Sequence, residues 1–127
     1  MKKLINPTKL RNALNRFLRI DIVRASTYIT CSAIWFKDGQ KHEHQPFNVD
    51  TGFVICGHRH HNCFMTACIL NKDEKLKGME DVQGFLTNEN NFVDRKEGGQ
   101  IAFKANQTND LKTRLFSEDF ISPNNNI

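Results

Sequence analysis

"GFVICGHRHHNCFMTACIL", Gly52 to Leu70, changes period in its middle. Its first residues, "GFVIC", form an apolar run of strand-favouring residues. From Asn62 onward the spacing turns helical: Phe64, Ala67 and Cys68 share one face, and Asn62 is placed to cap the helix. Between the two lies "CGHRHHNC", with three histidines, one arginine and two cysteines. Strand, polar turn and helix in so short a stretch imply a mixed fold, and the flanking sequence decides how the strands associate.

Upstream, "STYITCSAIWFK" (residues 26–37) is rich in β-branched and aromatic residues, and the Asp-Gly pair in "KDGQK" turns it toward a hairpin. "HEHQPFNVD" is loop, because Pro46 and its polar neighbours break any pattern. Downstream, "NKDEKLKGMED" is a charged loop, "VQGFLT" a third strand, "NENN" a turn and "FVD" the returning strand. Asp94 with Glu97 matches a capping box and opens a helix to about Asn106, with Ile101, Ala102 and Ala105 inward. Gly98 and Gly99 weaken that helix by about 1 kcal/mol each relative to Ala, so either packing compensates or another backbone approaches closely there. A last amphipathic piece, Leu111, Leu115 and Phe116, precedes an Asn-rich end expected to fray.

At the other end, Asn6 and Pro7 start a helix whose Leu10, Leu14, Phe17 and Leu18 form an apolar stripe. Its opposite face carries Lys9, Arg11, Asn15, Arg16 and Arg19. The stripe must be buried against the domain body or another subunit, and the sequence leaves that open. The class expected is α+β: a small, mostly antiparallel sheet flanked by helices, with an N-terminal amphipathic helix.

The 127 residues suffice for one domain with its own core. A net charge of +4 and a pI near 9.0 favour anionic partners but fall short of a nucleic-acid-binding arm. No DNA, RNA or membrane partner is therefore expected. Asn6 and Pro7 interrupt the opening "MKKLINPTKL" before a signal-peptide core forms, and no run approaches the ~18 apolar residues of a membrane span. An intracellular setting follows, with Cys31, Cys56, Cys63 and Cys68 as reduced thiols in or beside apolar runs.

Three chemistries compete for the histidine segment. Cys56, His58, His60, His61 and Cys63, with His42 and His44 from the loop, are zinc-ligand types, but their spacing lacks the C-x2-C and H-x3-H pairs of structural sites. Strand alternation would also put His58 and His60 opposite Arg59 and His61. A hydrolase has no recognised nucleophile signature here: G-x-S-x-G, a P-loop and the zinc-deaminase pattern are all missing. An anion suits the segment better, since Arg59 offers a planar fork, His60 and His61 can donate beside it, and the following helix aims its free N–H groups at the same spot.

Read together and in order, "GFVICGHRHHNCF", "GFLTNENNFVDRKEGGQIAFKANQ" and "LFSEDF" resemble small phage proteins of the Thoeris anti-defence family. The resemblance spans roughly residues 26–120. It implies a sponge that binds glycocyclic ADP-ribose at subunit interfaces without cleaving it, in the cytoplasm of the infected bacterium, and so starves a host defence effector of its signal. Some members also hold cyclic oligonucleotides at a separate site. The chain would then be a homo-oligomer, dimer or hexamer, with residues 1–24 serving assembly, 25–120 binding ligand and 121–127 a frayed tail. Carried over by position, Arg59 meets the pyrophosphate, flanked by His60 and His61, and the Phe85 ring stacks on adenine. Asp94, where relatives carry asparagine, contacts a ribose hydroxyl or caps its helix. Arg95 and, more loosely, Lys112 and Arg114 on a last helix complete the set. No catalytic residue, metal or cofactor is implied. The alternative is a metal-dependent phosphoester hydrolase or nuclease using His58, His60 and Cys63; a plain protein-interaction module is the third reading.

Overall fold

A computed structural model describes residues 27–72 and 74–120; the helix expected near residues 7–19, the assembly segment and the tail lie outside them. Four strands, β1 (Ile29–Phe36), β2 (Phe53–Gly57), β3 (Asp81–Thr87) and β4 (Phe92–Asp94), form one antiparallel sheet in the order β2-β1-β3-β4. Helix α1 (His60–Leu70) follows β2, helix α2 (Arg95–Lys104) follows β4, and a short 3-10 turn occupies Ser117–Asp119. The fold is the α+β arrangement expected from the sequence. Among the described residues no helix is long and apolar enough to cross a membrane.

β1 is central, and its near-continuous apolar run reflects burial on both faces. Ile34 pairs with Ile55 on one side and Gln83 on the other. Ile34 and Phe36 join Ile55, Cys63 and Ala67 beneath α1. On the same face, Ile29, Phe85, Val93, Ala102 and Leu115 form a second cluster beneath α2. Ala33, Val49 and Phe92 pack on the opposite face with Trp35, Val54, Val82 and Leu86.

That opposite face is covered by the long connection 37–52. Phe36 pairs with Phe53, so Asp38-Gly39 opens this connection and does not close a tight hairpin. Asn48 pins the loop to β4: its Nδ2 donates to Phe92 O at 2.6 Å and its Oδ1 accepts from Phe92 N at 2.8 Å.

Two expectations about helices are corrected. α1 starts at His60, with Arg59 as N-cap, and Asn62 lies inside the first turn, where its Oδ1 accepts from Arg59 N at 2.9 Å. The buried face is accordingly His60, Cys63 and Ala67; Phe64 and Cys68 are exposed. β2 ends at Gly57, so the chain has turned before His60, and the strand alternation invoked for His58 and His60 does not apply.

The segment around Leu111–Phe116 is an irregular strap, bent at Thr113–Arg114, and not a helix. The backbone of Leu115 is satisfied by α2: Leu115 N donates to Arg95 O at 2.9 Å, and Arg95 Nη1 donates to Leu115 O at 2.7 Å. Gly99 explains why the strap lies so close, because a Cβ there would overlap the Lys112 carbonyl oxygen.

Candidate functional site

The turn between β2 and α1 and the strap after α2 meet at one end of the sheet. They enclose a groove of about 480 Å³ lined by Arg59, His60, His61, Phe64, Arg95, Phe116, Ser117 and Glu118. Four of the residues singled out in the sequence, Arg59, His60, His61 and Arg95, are therefore brought together although Arg95 is distant in the chain.

α1's early start is what places them. Arg59 has extended backbone (φ −131°, ψ 164°) and leads directly into the first turn, where Asn62 N already bonds Arg59 O at 3.0 Å and the N–H groups of His60 and His61 precede any intrahelical acceptor. His60, one residue on, is turned under the helix: it is buried, its Nε2 lies 2.8 Å from Gly84 O, and its ring meets the Phe85 ring edge-on at 5.1 Å. The carbonyl can only accept, so His60 Nε2 carries a proton. Burial, reinforced by the positive charge of Arg95, pushes the His60 pKa below the usual histidine value, which leaves the ring neutral at pH 7.

Arg95 is held by three groups at once. Nη1 bonds Leu115 O, Nη2 donates to Gln83 Oε1 at 2.5 Å, and the guanidinium sits 4.6 Å from the centre of the Phe116 ring. Burial, then the nearby Arg114, lowers its pKa, though a guanidinium remains protonated. The Arg114 guanidinium lies 5.7 Å from the same ring.

Arg59 is different, because its Nη1 is buried and has no hydrogen-bond partner among the described residues. Its nearest carboxylate oxygen is Glu118 Oε1 at 3.8 Å, an ion pair too long to be a hydrogen bond. Glu118 is itself committed elsewhere: Ser117 Oγ donates to it at 2.6 Å and, with weaker help from Arg59 and His60, holds its pKa below the usual carboxylate range. The groove thus contains two arginines, one exposed carboxylate and an unspent buried donor.

A second groove, of about 470 Å³, shares Arg95 and adds Asp94, Lys96, Arg114, Gln83 and Thr113. Asp94 acts locally as the α2 N-cap, its Oδ1 accepting from Glu97 N at 2.8 Å. Lys112 lines neither groove; its carbonyl is what packs against Gly99.

Phe85 is a further correction. It is 0% exposed, fixed between His60, Phe120 and the close approach of Gly98, so its ring supports the groove from within and has no face free for a base. The aromatic groups at the groove are Phe64 and Phe116, 37% and 42% exposed. Reading the strap as a helix hid Phe116, whose value depends on the extended backbone that lays it over Arg95. The remaining metal-type residues disperse: Cys56 and His58 are exposed, and His42 is engaged with Asp38 at 2.7 Å. Among the described residues no three His, Cys, Asp or Glu side chains converge on a point that could hold a metal.

No curated protein and no solved structure matches the chain. The model of the phage T4 y16D protein family matches residues 28–120, a span that begins just before β1, ends after the 3-10 turn and contains both grooves. The chain belongs to the phage T4 y16D protein family.

Proposed function

We propose that this phage protein is a sponge for a nucleotide-derived immune signal of the glycocyclic ADP-ribose type, held without cleavage in the groove between α1 and the strap. The observation that carries the reading is Arg59 Nη1, a buried cationic donor without a hydrogen-bond partner among the described residues, on an arginine that lines the groove together with Arg95. A diphosphate oxygen there would satisfy it, and the first-turn N–H groups of α1 add to the attraction. Glu118 opposes an anion, so binding displaces it from Arg59, and the long, solvent-screened pair that is lost is a weak one. Phe64 and Phe116 supply the base-stacking surface in place of Phe85. His60, neutral and tied to Gly84, positions the turn and performs no proton transfer. Under this reading the protein acts in the infected cell's cytoplasm as a homo-oligomer, a dimer or hexamer, and a cyclic oligonucleotide is a candidate second ligand.

The test is calorimetric titration with glycocyclic ADP-ribose, followed by heating the complex and chromatographing the released nucleotide. Binding with intact recovery supports the sponge; a cleaved product makes the protein an enzyme, and absence of binding removes the ligand assignment. Arg59→Ala should weaken binding by roughly ten- to a hundredfold, the ~1.5–3 kcal/mol of a charge-assisted hydrogen bond. Unchanged affinity would take Arg59 out of the site.

A further inference from the structure

All four cysteines are free thiols, and two of them share one place in the sheet. Ala33 of β1 pairs with Cys56 of β2, so Cys31, two residues before Ala33, is the diagonal neighbour of Cys56. Residues two apart on a strand point to the same face, where diagonal neighbours lie within reach of each other. That face is the one opposite α1, because Ala33 and Val54, in phase with Cys31 and Cys56, both pack in the cluster of Ala33, Val49 and Phe92. The pair is accessible: Cys31 is half-buried, and Cys56, on the outermost strand, is exposed. The other two thiols belong to the opposite face. Cys63 is 0% exposed beneath α1, with its Sγ 3.7 Å from Ser32 O and 3.6 Å from Arg59 O, and Cys68 lies farther along the same helix.

We propose that Cys31 and Cys56 form a redox-active dithiol that closes to a disulfide under peroxide. Cys31 Sγ attacks one oxygen of hydrogen peroxide, the O–O bond breaks, and the departing hydroxide takes up the Cys31 proton to leave as water. Cys56 Sγ then attacks the sulfur of the Cys31 sulfenic acid; the S–O bond breaks, and the hydroxyl leaves with the Cys56 proton as a second water. Two thiols are oxidised to one disulfide and one peroxide is reduced to two waters. The surroundings divide the roles. A hydrogen bond from the Cys56 thiol, helped by Thr30 and the Gly57 N–H and opposed by burial, lowers the Cys31 thiol to about 6, and giving that bond raises the Cys56 thiol. Cys31 is therefore the nucleophilic thiolate at pH 7 and Cys56 the thiol that resolves it. Closing the bridge tightens the diagonal, and β2 can yield because, at the edge of the sheet, it pairs with β1 alone. The inference is independent of what the groove binds.

Trypsin cuts between the two cysteines, at Lys37 and Lys41, which makes the bridge readable. The full-length reduced protein is treated with equimolar hydrogen peroxide, alkylated with iodoacetamide, digested without reductant and mapped by mass spectrometry. The expected product is a peptide pair linked through Cys31 and Cys56, lighter by two hydrogens than its separate parts, with Cys63 and Cys68 unoxidised. In Cys56→Ser the same treatment leaves a sulfenic acid at Cys31 that dimedone traps. Cys31 and Cys56 both remaining alkylatable in the wild type would overturn the inference, as would oxidation of Cys68 in their place or a covalent dimer through Cys56.

Discussion

Arg59 and His60 are adjacent, yet their surroundings give them opposite tasks. Arg59 keeps a donor unspent at the groove, whereas His60 commits one nitrogen to Gly84 and buries its ring on Phe85. The burial of His60 has a consequence for stability. Its folded pKa lies below the ordinary 6.5, so as pH falls through about 6.5 the unfolded chain takes up the proton first and stability declines. The decline stops once the folded pKa is passed, and above about pH 7.5 the group contributes no slope. Urea denaturation between pH 7.5 and 5.5 should therefore show a steeper loss for the wild type than for His60→Gln, which keeps a donor for Gly84 but cannot titrate. Equal slopes would mean that the ring is not selectively neutral in the fold.

At the scale of elements, α2 is held at both its start and its middle. Asp94 caps it, so Asp94→Ala should cost about 1 kcal/mol in chemical denaturation, and Asp94→Asn, which caps as well, only a few tenths. If Asp94 serves the helix alone, Asn at this position also leaves nucleotide affinity unchanged in calorimetry. The two helix glycines separate more sharply. Alanine at either would raise helix propensity by ~1 kcal/mol. At Gly98 its Cβ would meet the Phe85 ring at 3.0 Å, which a side chain can partly absorb, but at Gly99 it meets the Lys112 carbonyl, which is backbone. Gly99→Ala should therefore destabilise by at least about 2 kcal/mol, the overpacking range, and clearly more than Gly98→Ala. Because the strap carries Phe116, it should also weaken ligand binding.

For the molecule as a whole, the two grooves share Arg95 at the end of the sheet where β2 and β4 hand over to their helices. A ligand bound there bridges α1 to α2 and the strap, which Arg95 and Leu115 already tie to each other. Binding only to the folded state adds RT ln(1 + [L]/Kd), about 2.7 kcal/mol at a hundred times Kd, so saturating glycocyclic ADP-ribose should raise the melting temperature in a concentration-dependent way. Chelator should leave that shift unaltered under the sponge reading. Loss of the shift in EDTA would favour the metal-dependent hydrolase.

Local chemistry was enough to read the elements with strong local signals: the β-branched run of β1, the "VQGFLT" and "FVD" strands, and the Asp94 cap, each of which depends on neighbours a few residues apart. The closeness of Arg59, His60 and His61 was legible for the same reason. The tertiary structure decided the rest. The inward face of α1 depends on where β2 releases the chain, and Phe85 could not be sorted from a surface aromatic until two elements closed over it. The strap is not a helix, and Leu115's hydrogen bonds go to Arg95 of α2, beside a contact that Gly99 permits. Pattern within a segment is set by its own residues, but burial and pairing belong to partners distant in the chain.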